Sequence, residues 1–104
     1  MDAPAELLSY YQSGHPLICE VAGKIDCEFW PLEDLAIFNR EYEVPKYAPG
    51  YFGFATNGGG EMFAFGPDGD IVCLPFIGME SKSATRIAGS FHDFQKLLAP
   101  ISVG

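Results

Sequence analysis

The sequence has 104 residues, 48% of them hydrophobic and 19% charged, a composition that excludes a disordered chain and predicts a single globular domain over residues 1–104. Its 14 acidic and 6 basic side chains give a formal net charge of -8, which disfavours binding to nucleic acid or an anionic membrane. The three cysteines contain no C-x-x-C pair, and no signal peptide or apolar membrane-spanning run is seen, so we expect a cytoplasmic protein without a metal or cofactor.

The N-terminal segment predicts a helix followed by a β-hairpin. The helix covers residues 2–14, with Asp2 or Ala3 as its cap, Pro4 in its first turn and Gly14 as a left-handed stop. Two β-favouring runs at residues 17–21 and 25–29 are separated by a short turn and predict the hairpin.

A second helix is predicted over residues 32–42. Glu33 and Asp34 lie in its first turn, where their charges complement the positive end of the helix dipole. Pro45 and Pro49 then predict a loop, because proline lacks an amide hydrogen and biases the preceding residue toward an extended conformation.

Three further strands are predicted in the middle of the chain. Residues 51–55 and 61–65 flank a glycine-rich break, and residues 71–74 return after the turn signal at residues 66–70. Phe63 therefore alternates with its neighbours between the two faces of a sheet, although the alternation does not decide which face contacts the core.

The C-terminal segment predicts a third helix over residues 90–99, with Ser90 as N-cap and Asp93 positioned to return a hydrogen bond to the cap. Hairpins dominate the order of elements, which excludes a doubly wound parallel sheet. The sequence therefore predicts an α+β fold, with a mainly antiparallel sheet of about five strands and about three packed helices.

The candidate catalytic residues form no recognisable set. Cysteine nucleophiles need a thiolate near an imidazole, but the three cysteines lie in apolar runs and the two histidines lie beside a proline and in a predicted helix. Buried structural cysteines explain this pattern better, so we expect no enzyme activity.

The segment Asn57-Gly58-Gly59-Gly60 precedes Glu61 and has two interpretations. It lacks the Lys-Ser/Thr pair and the following helix of a phosphate-binding loop, which disfavours a nucleotide site. Either the glycines adopt positive φ at a strand junction, or Glu61 beside them binds a partner. Trp30 is likewise either a core residue or an aromatic anchor at an interface.

The acidic excess is uneven along the chain. Residues 1–43 contain nine acidic and two basic side chains, whereas residues 81–104 contain one acidic and three basic ones. The acidic part serves either solubility or the attraction of a basic partner.

Five segments together carry a family resemblance: residues 4–14, FWPLEDLAIFNREY, YAPGYFGFATNGGGEMFAF, PFIGM and SFHDFQKLL. In this order they resemble the SUKH superfamily, which includes many bacterial immunity proteins and the domain of a yeast cell-wall-synthesis regulator. The most specific parts are Trp30-Pro31-Leu32 at the start of the second helix and the segment from Asn57 to Glu61.

The resemblance implies a non-enzymatic protein-binding domain, in most cases an immunity protein that neutralises a cognate bacterial toxin by direct binding. A regulatory or scaffold domain of the cell-wall type is the alternative. An acidic inhibitor suits a basic toxin domain, and a nuclease is one candidate because its substrate cleft must be basic. The partner-binding positions marked by the resemblance are Trp30, Asn57, Gly58, Gly59 and Glu61.

Overall fold

A computed structural model describes residues 3–101, in which helices lie against an antiparallel sheet. The α-helices are α1 (Ala5–Gln12), α2 (Leu35–Glu41), α3 (Val44–Tyr47) and α4 (Phe91–Leu97). The strands are β1 (Ile18–Val21), β2 (Ile25–Phe29), β3 (Phe52–Thr56), β4 (Glu61–Phe65), β5 (Ile71–Pro75), β6 (Thr85–Ala88) and β7 (Leu98–Pro100). Short 3-10 turns at Leu32–Asp34 and Ser81–Ser83 precede α2 and β6. No helix among residues 3–101 is long and apolar enough to cross a membrane.

The strands are ordered β6-β5-β4-β3-β2-β1-β7, and neighbouring strands run antiparallel. Strands β1 to β6 follow the chain because short connections favour neighbours, whereas β7 returns after α4 to the edge beside β1. The pairing of β2 with β3 joins Glu28 to Thr56 and Phe29 to Ala55. Because the first residues of β2 have no partner on β3, the β1–β2 hairpin extends beyond the end of β3.

The described part of the sheet has seven strands, where the sequence predicts about five. The predicted C-terminal helix over residues 90–99 is wrong in its last two residues, because Leu98 and Ala99 belong to β7. Pro100 cannot continue a helix and favours an extended Ala99, and the edge of β1 supplies backbone partners for this segment. The short β6 has no strong alternation and forms because it pairs with the edge of β5.

The loop predicted at Pro45 and Pro49 is also partly wrong, since Val44–Tyr47 forms a one-turn helix. Pro45 occupies the first turn of this helix, where a missing amide hydrogen costs no hydrogen bond. Glu43 joins α2 to α3 in the left-handed conformation, with φ of 55°.

Other predictions are confirmed. The two hairpins form as predicted, and the amide of Asp93 donates to Ser90 Oγ at 3.0 Å, so Ser90 caps α4. The Asp93 carboxylate, expected to return a bond to the cap, instead lies 3.6 Å from Lys96 Nζ. Gly14 follows α1 with φ of 72°, whereas the proposed cap residue Asp2 lies outside the described residues.

The sheet has an inner face that packs against α1 and α4 and an outer face that packs in part against α2 and α3. Phe63 and Phe65 lie on the inner face, and Met62 and Ala64 lie on the outer face. The inner face holds most of the aromatic core, which consists of Tyr10, Phe29, Phe54, Phe63, Phe65, Phe91 and Phe94.

Candidate protein-binding surface

The outer face of the sheet divides into two halves with different chemistry. The aromatic half lies under α2 and α3, and its rings and sulfur come from Trp30, Phe38, Tyr42, Met62 and Phe76. The acidic half lies on β1 and β2, and its side chains are those of Ile18, Glu20, Asp26 and Glu28. Among residues 3–101, Ile18 is 56% exposed and Trp30 is 6% exposed, so within this range the aromatic half is covered and the acidic half is not.

Strand register concentrates carboxylates on the acidic half. Glu20 lies directly opposite Asp26, and Glu28 lies opposite Ile18, so all four side chains share one face. Directly opposed like charges destabilise a strand pair by about 0.2–1 kcal/mol. The ion pairs formed within residues 3–101 involve other carboxylates, so these three acidic groups have no basic partner in the described part of the chain.

The glycine-rich junction, residues 57–60, connects β3 to β4 beside the acidic half. Asn57 Oδ1 accepts hydrogen bonds from the amides of Gly59 at 2.8 Å and Glu61 at 3.1 Å. Gly58 and Gly60 have φ values of 74° and 96°, a conformation that glycine adopts without steric cost. The Asn57 side chain therefore shapes the junction, and the three glycines remain exposed at its surface.

Glu61 is half-buried at the start of β4. Asn57 Nδ2 donates to Glu61 Oε1 at 3.0 Å, while Oε2 accepts no hydrogen bond within the described residues. Burial, followed by the nearby Glu61 charge, raises the pKa of the Cys73 thiol to about 11. The second carboxylate oxygen of Glu61 is thus available to an external donor.

The junction connects the two halves of the outer face. On one side, Thr56 precedes it and pairs with Glu28 of the acidic half. On the other side, the Phe76 amide donates to the Gly60 carbonyl at 3.0 Å, which ties the junction to the aromatic half. A partner that contacts the junction therefore meets carboxylates on one side and aromatic rings on the other.

Trp30 occupies the core of the aromatic half. Its ring lies 5.2 Å from that of Phe38 and 6.0 Å from that of Tyr42, measured between centroids. A Cβ atom at Gly53 would lie 3.2 Å from Trp30 Cη2 and 2.7 Å from Met62 Sδ, so the glycine admits this close packing. Trp30 has almost no surface for a partner, and the core interpretation describes it better than the interface anchor.

Asn39 is a buried polar residue that the sequence analysis does not identify. Its Nδ2 donates to the carbonyls of Leu35 and Gly53, each at 2.8 Å, and its Oδ1 accepts from the Gly53 amide at 2.7 Å. The register of β3 against β4 shifts between Gly53 and Ala55, so Asn39 satisfies backbone groups at this irregularity. A polar residue amid the apolar positions of α2 is the only sequence signal for this role.

Exposed aromatic residues surround a cleft between the end of β5 and helices α2 and α3. The cleft has a volume of about 400 Å³ and is lined by Tyr42, Tyr47, Phe76, Gly78, Met79 and Glu80. Tyr42 and Tyr47 are each almost half exposed, and the ring of Tyr42 lies 4.7 Å from that of Phe76. These residues are distant in the sequence, so no local motif indicates the cleft.

The three cysteines are free and buried, and burial is the main cause that raises the pKa of each thiol. A raised pKa disfavours the thiolate that nucleophilic catalysis or metal binding requires. No group of three or more His, Cys, Asp or Glu residues suitable for a metal ion occurs within residues 3–101.

The sequence model of the SMI1 / KNR4 family (SUKH-1) matches residues 2–96. The chain belongs to this family. A search of curated proteins finds no match. The range matched as SUKH-1 contains the junction, both halves of the outer face and the aromatic cleft, and it ends before β7. SUKH-1 domains generally act as protein-binding immunity or regulatory modules, so the outer face of this SUKH-1 domain is best examined as a surface for a protein partner.

Proposed function

We propose that this SUKH-1 domain is a cytoplasmic immunity protein that neutralises a cognate bacterial toxin by direct binding. The proposed partner is a basic toxin domain, with a nuclease as one candidate. The observation that carries the proposal is the acidic half of the outer face, where Glu20, Asp26 and Glu28 share one face and form no ion pair within the described chain.

The strand register makes this surface suited to a basic protein. Opposed Glu20 and Asp26 repel each other in the free domain, and Lys or Arg side chains of a partner would relieve that repulsion. The net charge of -8 would also accelerate the encounter with a basic domain, in a manner that depends on salt. The exposed Ile18 adds apolar area beside the carboxylates.

The junction borders the proposed surface at the edge of the sheet. Gly58 and Gly59 allow close approach to the backbone. The Glu61 side chain, on the same side of β4 as Phe63, offers its Oε2 oxygen at this edge. Asn57 acts in this proposal by holding the loop in shape, since its Oδ1 already accepts two amides. Trp30 acts from beneath by supporting Tyr42.

Neutralisation by binding alone is part of the proposal, and the raised pKa values of the buried thiols support it. The three free cysteines also agree with a reducing cytoplasm, where thiols are kept reduced.

The test is co-expression with the product of the adjacent gene, followed by co-purification and an assay of protection from toxicity. Glu61→Ala, Glu61→Lys and Glu28→Lys are compared with Asp68→Lys, because Asp68 lies in the β4–β5 turn at the opposite end of these strands. Truncation of a buried interface carboxylate costs about 2–5 kcal/mol of binding, and a rim charge changes mainly the association rate. We expect the three site variants to fold and to bind more weakly than Asp68→Lys, with each lysine worse than the alanine.

Two outcomes would overturn the proposal. If folded site variants protect cells as well as the parent protein, the surface is assigned wrongly. If the parent protein binds no product of a neighbouring gene, the regulatory or scaffold alternative replaces the immunity function.

A further inference from the structure

The aromatic cleft described above combines rings with a carboxylate at one place on the surface. Tyr42, Tyr47 and Phe76 supply three rings, and Glu80 supplies the carboxylate. The volume of about 400 Å³ accommodates a long side chain. Met79 is 5% exposed and closes the cleft from within.

The faces of aromatic rings carry partial negative charge and attract cations within about 6 Å of the ring centroid. The Tyr47 ring already takes part in one such contact, because Nζ of the neighbouring residue Lys46 lies 5.2 Å from its centroid. Glu80, whose Oε2 oxygen pairs with exposed Lys82, is a further acidic residue of the same cleft. The cleft is thus complementary to an ammonium or guanidinium group on an apolar stem.

Other occupants fit this chemistry less well. A purely apolar side chain would displace water from the Glu80 carboxylate and its Lys82 partner without offering a new hydrogen bond, which is unfavourable. An acidic side chain would be repelled by Glu80, and a second copy of this chain carries the same charge of -8. The apolar stem and the charge of an arginine or lysine side chain can both contact the aromatic rings. Its N–H groups can donate hydrogen bonds to the carboxylate.

We infer that the cleft formed by Tyr42, Tyr47, Phe76 and Glu80 binds an arginine or lysine side chain of the partner. This inference rests on the proposed function and identifies which group of the basic partner enters the domain. The Phe76 amide is bonded to the Gly60 carbonyl, so a protein that contacts the junction can also reach the cleft.

The free domain has an internal competitor for this position. Lys82 Nζ lies 3.2 Å from Glu80 Oε2, and the two side chains are 85% and 53% exposed. A surface ion pair as exposed as this contributes little stability, so a cation that also contacts the rings can replace Lys82. Removal of the Lys82 charge should therefore strengthen binding, while removal of the Glu80 charge should weaken it.

The experiment is an NMR titration of the full chain with acetyl-Gly-Arg-Gly-amide and, separately, with the same peptide carrying citrulline. Citrulline is nearly isosteric with arginine but uncharged. We expect the arginine peptide to shift the amide resonances of Ile77, Gly78 and Glu80, and the citrulline peptide to bind about three- to tenfold more weakly.

Three variants and one control separate the contributions. Glu80→Gln and Tyr47→Leu should each weaken binding of the arginine peptide about three- to tenfold, and Lys82→Ala should strengthen it. Asp68→Asn removes one negative charge at a distance and should leave the affinity unchanged. Equal binding of the two peptides would overturn the inference, because apolar contact would then explain the binding. An equal loss of affinity in Glu80→Gln and Asp68→Asn would also overturn it, because net charge would then explain the binding.

This result is separable from the test of the proposed function. If the toxin binds the parent and the Glu80→Gln and Tyr47→Leu variants equally well, the inference about the cleft fails while the immunity function stands. If no neighbouring toxin binds but the cleft shows the expected preference for arginine, the inference holds for a basic partner of another kind.

Discussion

The aromatic and acidic halves of the outer face share one sheet but meet different neighbours. In the aromatic half, Trp30 is buried beneath α2 and packs against Gly53 and Met62. In the acidic half, the described residues give Ile18 no comparable cover, and Glu28 beside it is exposed. Burial stabilises the first half, whereas the second retains charge and apolar area that the fold itself does not use. The difference indicates that stability and partner binding depend on separate parts of the same face.

The largest expected effect comes from removing the central ring of the aromatic half. Trp30→Ala should lower the free energy of unfolding by about 3–5 kcal/mol, because it leaves a cavity against Gly53 and Met62. Ile18→Ala in the acidic half should lower it by less than about 0.5 kcal/mol, since the side chain is largely exposed. Chemical denaturation of both variants measures the difference, and similar losses would refute the division between the halves.

A smaller change in the free energy of unfolding is expected when side-chain hydrogen bonds to the backbone near the two halves are removed. Asn39→Ala leaves buried backbone groups of Gly53 without partners and should cost about 1–3 kcal/mol. Thr56→Ala removes bonds to Gly58 and Glu61 near solvent, where water can replace the hydroxyl, and should cost about 0.5–1 kcal/mol. Equilibrium unfolding in urea compares them, and an equal or greater loss in Thr56→Ala would contradict the role assigned to burial.

The smallest expected change in stability has the opposite sign. Asp26→Asn removes the repulsion with Glu20 and should raise the free energy of unfolding by about 0.2–1 kcal/mol. The same substitution should slow association with a basic toxin domain, because it weakens the attracting charge. Asp68→Asn, with an equal change in net charge, should alter neither quantity to the same extent.

Thermal unfolding and association rates at two salt concentrations test this trade-off. If Asp26→Asn destabilises the domain, the opposed carboxylates do not lower the stability of the unbound protein. If its association rate equals that of Asp68→Asn, the acidic half acts only through net charge rather than as a local surface.

Much of the local structure could be predicted from neighbouring residues. Ser90 caps α4, and the turn at residues 66–70 closes the β4–β5 hairpin, because each depends on backbone groups a few residues away. The glycine-rich junction could also be recognised, since Gly58 and Gly60 occupy positive φ. Ile18 and Glu20 alternate with buried Cys19, and this pattern indicates a strand with one exposed face. The pattern does not predict the register that places Glu20 opposite Asp26.

The sequence by itself determined the family, the α+β class, the acidic charge and the turns, because composition and short-range patterns suffice for them. Only the tertiary structure decided that Leu98 enters a strand, that Trp30 lies beneath a helix and that Tyr42, Phe76 and Glu80 share a cleft. These outcomes depend on edge pairing and on packing between segments distant in the chain. The neighbours of a residue in the sequence do not specify whether a distant segment will cover it. Coverage by distant segments separates the core of this domain from its proposed binding surface.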